Sequence, residues 1–297
     1  MERIRQSEFT KFQRCPRSWA LTYGRDLVPL SEGPRMPAFS RDCGSATHRG
    51  AEVIHNGGSL TEALSAVEGY VEEMRSMRNP DPLVPVSKVD TPEWEKVQRY
   101  ALGMVEMYSE WLEDTGHDAG FETLGVELDW EVPIPGLDAV AYGAIDLYGR
   151  DALRGGTTVD DLKTVDGFSN PPMAADFQLR TYAWAMWRTT GEVPVAAGHR
   201  MIKRVLMGGT AKGPKIMYAP IHIDEMILRK HEEVLIVRAK AILEARSFEM
   251  EDARLYPVAN KDCSWDCNFR SVCPMIDEED DWESVLELNF TLKSDAE

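Results

Sequence analysis

Gly143-Ala144-Ile145-Asp146-Leu147-Tyr148 and, after the Gly155-Gly156 connection, Thr157-Thr158-Val159-Asp160-Asp161-Leu162-Lys163 are the stretches that decide the fold. Both carry β-branched and aromatic residues and are bounded by turn-forming glycines, so they read as neighbouring strands over Ala139–Tyr148 and Thr157–Lys163. Residues i and i+2 of a strand share a face, which turns Asp161 and Lys163 one way and Asp160 the other. Asp146 and Asp161 on adjacent strands with a lysine beside them suit phosphodiester hydrolysis. The acids hold a divalent ion that polarises the phosphate and makes a water nucleophilic. The lysine orients that water or stabilises charge building on the phosphate. Asp160 is the alternative ligand if the strand is bulged.

Outward from this pair, Val126, Leu128, Trp130 and Val132 alternate with Glu127, Asp129 and Glu131, a half-exposed strand whose acids read as a solvated face. Pro135-Gly136 ends it. Upstream, helices are expected over Ser7–Tyr23 with Ser7 as N-cap, Gly44–His55, Leu60–Met77, and from Thr91 to about Thr115; a proline-punctuated loop, Asn79–Pro92, precedes the last. Downstream come a helix over Pro172–Thr189, strands over Val193–Val205 and Lys215–Ile221, and a helix capped by Asp224 that runs to about Ala245. The fold class expected is α/β: a central mixed sheet flanked by helices, within one domain over 1–297. Its parts are a mainly helical region (1–120), a catalytic α/β core (121–222), a helix with a cysteine-rich segment (223–276) and an acidic tail (277–297).

The net charge of −17, from 33 Lys and Arg against 50 Asp and Glu, argues against a protein that coats nucleic acid non-specifically. A local basic patch can still carry phosphate contacts. Candidates are Arg3, Arg5, Lys11, Arg14, Arg17 and Arg25, then Arg200, Lys203, Arg204, Lys212 and Lys215. No run approaches the roughly 18 apolar residues of a membrane span, and Met1–Phe12 is too polar for a signal peptide. A cytoplasmic location with reduced thiols is expected.

Four short motifs occur in order: Gly44 to His48 (G-x-x-x-H), Gly143 to Asp146 (G-x-x-D), Asp161-Leu162-Lys163 (D-x-K) and Gln178 to Tyr182 (Q-x-x-x-Y). Each alone has an ordinary reading, such as a surface histidine or an i,i+4 surface pair. Together they resemble the RecB-like branch of the PD-(D/E)XK nucleases, especially the iron–sulfur exonucleases of CRISPR adaptation and the AddB-type end-processing nucleases. The resemblance implies a restriction-endonuclease-like core. It implies that His48, Asp146, Asp161 and the backbone carbonyl of Leu162 bind Mg2+ or Mn2+, and that Gln178 and Tyr182 orient the substrate or Lys163.

Cys263, Cys267 and Cys273, spaced x3 and x5, suggest metal rather than disulfide in a cytosolic chain, and Cys15 can supply a fourth ligand. The set resembles the iron–sulfur nucleases, in which a distant N-terminal cysteine and a C-terminal trio hold a 4Fe-4S cluster. The trio departs from the family at its first spacing, x3 instead of x2, and zinc is the rival metal. Cys43 reads as a small buried hydrophobe. Asp277–Asp281 reads as the solvated start of a helix that packs Trp282, Val285 and Leu286.

The resemblance thus implies a nuclease acting on DNA, with single-stranded ends as substrate by analogy and a homo-oligomer or a recombination or CRISPR-adaptation partner as possible company. Two other readings stay open: a non-catalytic DNA-end-binding or assembly subunit, and a zinc-stabilised structural protein.

Overall fold

In the computed structural model, residues 1–29, 38–77, 91–168, 175–206, 213–259, 263, 267–278 and 280–292 are described. The loop expected over Asn79–Pro92 and Lys212 lie largely or wholly outside them, as do the first residues of the helix expected from Pro172. In chain order the elements are β1 (Glu2–Arg5), α1 (Gln6–Arg14), α2 (Pro16–Trp19), a π-turn (Ala20–Gly24), β2 (Leu27–Pro29), α3 (Phe39–His55), α4 (Leu60–Met77) and α5 (Thr91–Thr115). Next come β3 (Phe121–Pro133), β4 (Ala139–Asp151), β5 (Gly156–Val165), α6 (Phe177–Thr190), β6 (Ala196–Lys203), β7 (Ile216–His222) and α7 (Glu225–Ala245). A 3-10 turn (Ala253–Leu255), α8 (Cys273–Asp277), α9 (Trp282–Asn289) and β8 (Phe290–Leu292) finish the described chain.

The residues form two compact units. The larger is Gly33–Trp130 with Ala144–Arg229; the smaller is Met1–Glu32 with Glu131–Gly143 and Lys230–Glu297. In the larger unit the sheet is mixed. β4 pairs antiparallel with β5, β5 parallel with β6, and β6 antiparallel with β7. The β4–β5 hairpin turns at Gly155, whose φ of +75° suits a residue without Cβ, and Asp151 Oδ1 accepts the amides of Leu153 and Arg154 across the turn. The parallel step from β5 to β6 requires a crossover, which α6 provides. Leu179, Ala183, Trp184 and Met186 bury α6, while Asp176 caps its first turn and Gly191, in the left-handed region, ends it.

Helices α3, α4 and α5 pack together, and Ala46, Val67, Trp94, Val97 and Met104 meet Leu162, Ile202 and Ile216 of the sheet in one apolar core. Cys43 is fully buried there, its thiol pushed up to about 12 chiefly by burial. Gly44 lets α3 approach β5: a Cβ there would stand 3.1 Å from Thr164 Oγ1. One turn later on the same face comes His48.

In the smaller unit β1 runs parallel to the first residues of β4, and β2 pairs antiparallel with β8. The single helix expected over Ser7–Tyr23 is broken. Pro16 has no amide hydrogen and disfavours helical backbone at the residue before it, so Cys15 is extended (φ −163°, ψ 108°) and its Sγ accepts the Ser18 amide as the N-cap of α2. Ser7 is inside α1 and hydrogen-bonds Tyr23 through its hydroxyl. The helix at the acidic tail is present: Asp281 accepts the Ser284 amide and α9 buries Trp282 and Leu286.

Candidate active site

The β4–β5 ladder runs from Asp151↔Gly156 to Leu147↔Asp160 and stops there. At the next step the Leu162 amide donates instead to the Asp146 carboxylate, 2.6 Å from Oδ2. A side chain thus satisfies a backbone donor that the ladder leaves over, and it holds Asp146 beside β5.

His48 comes to the same place from α3, with Nδ1 3.6 Å from Asp146 Oδ2 and 3.6 Å from Glu127 Oε1. Among the described residues, His48, Glu127 and Asp146 are the one group of three or more His, Cys, Asp or Glu ligand atoms lying within 4.8 Å of one another. Glu127 and Asp129 are both exposed, as a solvated strand face implies, and Glu127 is the one of the two that reaches His48. Glu127 has φ +46°, a left-handed backbone that costs a residue with a Cβ about 1–2 kcal/mol. Nothing in the alternating sequence signals that turn.

Asp161 is almost fully buried and engaged on the α6 side of the sheet. Lys163 Nζ is 2.9 Å from its carboxylate, Gln178 Nε2 donates to Oδ1 at 3.0 Å, and His199 Nδ1 lies 2.7 Å from Oδ2. Gln178 Nε2 is also 2.9 Å from the Tyr182 hydroxyl. Sequence reasoning therefore placed Asp161, Lys163, Gln178 and Tyr182 in one cluster and missed His199, whose Nε2 lies 3.3 Å from Asp176 Oδ2. Asp160 points to the opposite face: Arg200 Nε donates to Oδ2 at 2.8 Å and the Tyr218 hydroxyl to Oδ1 at 2.9 Å.

Charges follow the contacts. Burial, reinforced by the Asp161 charge and opposed by His48, raises the Asp146 carboxyl. Burial would raise Asp161 too, but Lys163 and His199 outweigh it and hold this carboxyl below its usual range. Burial would lower His48, and the Glu127 and Asp146 carboxylates reverse that sign.

A cleft of about 750 Å3 opens beside the cluster, lined by Arg41, Ser45, His48, Arg49, Lys163 and Arg204 among others. Two members of the expected basic patch are not surface cations. Arg200 is buried among Asp160, Asp118 and the Tyr108 hydroxyl. Arg17 is buried against Asp277 and the Cys273 carbonyl. Both acquire the acidic partners that burial of a guanidinium requires.

The PD-(D/E)XK nuclease superfamily profile matches residues 3–274. The chain belongs to the PD-(D/E)XK nuclease superfamily. As a PD-(D/E)XK protein it has the mixed sheet flanked by helices expected of the restriction-endonuclease-like core. Among solved structures it is similar to SSO0001, at 15% identity over 92% of this chain and 86% of that one with a TM-score of 0.40. It is also similar to a protein of Eubacterium rectale named "Putative exonuclease", at 11% identity over 82% and 81% of the two chains with a TM-score of 0.49. Comparison with curated proteins gives no match. No helix among the described residues is long and apolar enough to cross a membrane.

Proposed function

We propose that this PD-(D/E)XK nuclease is a Mg2+- or Mn2+-dependent deoxyribonuclease that hydrolyses phosphodiester bonds exonucleolytically at single-stranded DNA ends. The observation that carries the reading is the convergence of His48, Glu127 and Asp146 ligand atoms next to an Asp161–Lys163 pair. An imidazole and carboxylates form the hard, mainly oxygen donor set that suits Mg2+ and Mn2+. His48 and Asp146 would hold the ion, joined by Asp161 and the Leu162 carbonyl, with Glu127 as a further carboxylate. A bound divalent ion supplies positive charge that polarises the phosphate and acidifies a water. Lys163 would then face the charge that grows on the phosphate oxygens. Gln178, fixed by Tyr182, would hold Asp161 in place.

The reading extends to a structural 4Fe-4S cluster on Cys15, Cys263, Cys267 and Cys273. All four are partly exposed free thiols of the smaller unit. Cys15 lies near enough to Cys273 to act on its ionisation, and Arg17 Nη1 points at Cys273 Sγ from 3.8 Å. A tetrahedral zinc with bonds of about 2.3 Å would draw its sulfurs within roughly 4 Å of each other. Four thiolates suit zinc as well as a cubane, and the iron–sulfur choice rests on the resemblance of the cysteine pattern. The same reading takes the chain as a single nuclease domain of a cytoplasmic protein.

The test is cleavage of end-labelled single-stranded and duplex DNA with Mn2+, using wild type, Asp146→Ala and Asp161→Ala. Metal-dependent shortening from the single-stranded end, lost in both variants, is expected. Tight DNA binding without cleavage would favour the end-binding subunit, which would then rely on a partner for part of its DNA affinity, because the net charge is −17 and the cleft arginines have acidic partners: Asp42 for Arg41, Glu52 for Arg49 and Asp166 for Arg204.

A further inference from the structure

His199 and Asp161 are register partners in the parallel β5–β6 pair, so their side chains emerge side by side on the face that α6 covers. The imidazole is nearly buried and has a carboxylate at each nitrogen, Asp161 Oδ2 at 2.7 Å from Nδ1 and Asp176 Oδ2 at 3.3 Å from Nε2. An ionised carboxylate only accepts hydrogen bonds, so a ring that serves both must donate from both nitrogens. Asp176 uses its other oxygen to cap α6, accepting the Leu179 amide at 2.9 Å. Two residues into that helix, Gln178 returns to Asp161 Oδ1. The contacts close a ring: Asp161, His199, Asp176, the first turn of α6, Gln178 and Asp161 again.

We propose that His199 is a positioning residue for the hydrolytic site, joining the Asp161 carboxylate to the capped end of α6 so that Asp161, Gln178 and Tyr182 are set as one piece. The inference rests on the nuclease reading above. Asp161 then cannot rotate without breaking a bond at each oxygen, and the helix that carries Gln178 and Tyr182 cannot shift without moving His199. Partners that hold a metal-binding carboxylate this way are typically worth about 10–100-fold in metal affinity or activity.

The experiment compares wild type, His199→Gln and Asp176→Asn in the full chain. Three quantities are measured: kcat and KM on labelled single-stranded DNA with Mn2+, Mn2+ affinity by calorimetry without DNA, and melting temperature. Asparagine caps helices as well as aspartate, so Asp176→Asn keeps the cap and removes the carboxylate that faces His199. The expected result for His199→Gln is a kcat about 10–100-fold lower with weaker Mn2+ binding and an unchanged KM for DNA. Asp176→Asn should move the same way by less, at an almost unchanged melting temperature. Lower melting temperatures with unchanged kcat per folded molecule and unchanged Mn2+ affinity would overturn the proposal and leave His199 a stability residue. If His199→Gln does not fold, Asp176→Asn alone decides. A wild type that binds Mn2+ but never cuts would defeat the nuclease reading, whereas a wild type that cuts beside two variants with unaltered kcat and Mn2+ affinity defeats this inference alone.

Discussion

The Leu162 amide and the Asp146 carboxylate are 2.6 Å apart, so one oxygen of a proposed metal ligand also ends the β4–β5 ladder. The two duties separate in variants. Asp146→Asn keeps an acceptor for the amide and should fold with a near-native melting temperature while losing cleavage. Asp146→Ala should lose cleavage too and, by leaving a buried donor unpaired, about 1–3 kcal/mol of stability besides. Urea unfolding of both variants checks the difference; equal stabilities would mean that water replaces the carboxylate.

Arg200 is the hub of the opposite face. Arg200→Met should cost about 3–5 kcal/mol, because Asp160 would remain buried, and Asp118 half-buried, without their cation. Asp160→Ala should also be destabilised, leaving Arg200 short of a partner, although its side chain faces away from the site. Chemical denaturation measures both. A stable Asp160→Ala with native unfolding behaviour would show that this network adds little.

Lys163→Ala removes the ammonium nearest Asp161 and should lower kcat by about 10²–10³-fold, the scale for one donor acting on transition-state charge. Its Mn2+ affinity should be no weaker than that of wild type, since Asp161 sheds a competing cation. Calorimetry that finds much weaker Mn2+ binding would reassign Lys163 to building the metal site.

His55 gives stability a pH dependence. Burial, with Arg200 close by, drives the imidazole down to about 3 in the folded protein, and its Nε2 lies 2.8 Å from the Tyr108 hydroxyl. The unfolded chain takes up this proton below an ordinary value of about 6.5 and the folded one does not. The contribution is therefore fully present above that pH and is lost as pH falls from 6.5 toward 3. The melting temperature should drop between pH 7 and 5, and by less in His55→Gln, even though that variant starts lower. Parallel drops would place the acid sensitivity elsewhere.

Cys15→Ala and Cys267→Ala should each abolish the visible absorbance of anaerobically purified protein and lower its thermal stability, because metal binding contributes directly to folding. Cys43→Ala should keep the colour and lose only about 1 kcal/mol of packing. Iron, sulfide and zinc analysis checks each variant, and a colourless wild type holding one zinc would defeat the iron–sulfur assignment.

The paired strands were legible in the sequence because Val159, Leu162 and their flanking glycines carry the strand signal, and Leu60–Met77 because its apolar period is unbroken. Pro16 did signal the break at Cys15, but the spacing of Phe9, Phe12, Trp19 and Tyr23 mimics one helix across it. Arg17 and Arg200 looked like surface charges because their partners are remote: Asp277 is 260 residues from Arg17, and Asp160 and Asp118 are 40 and 82 from Arg200. His199 lies in a strand where every residue but the last is buried, and a polar residue there shows its purpose only once β5 lies alongside. Glu127 needed a backbone angle that no residue type announces.

Asp160 and Asp161 are chemically identical neighbours on opposite faces of β5, one sunk against Arg200 and the other turned to Lys163 and His199. A slip of one residue during strand pairing would exchange an aspartate for an aspartate at one of these two places, so the acids themselves offer only partial protection against that error. Protection falls to the next two positions, where the same slip would drive Lys163 into the apolar core that Leu162 fills and push Leu162 out of it. A leucine and a lysine thus join Val159 in guarding the register of the catalytic strand, and substitutions that make Leu162 and Lys163 alike, such as Lys163→Leu, should weaken that guard.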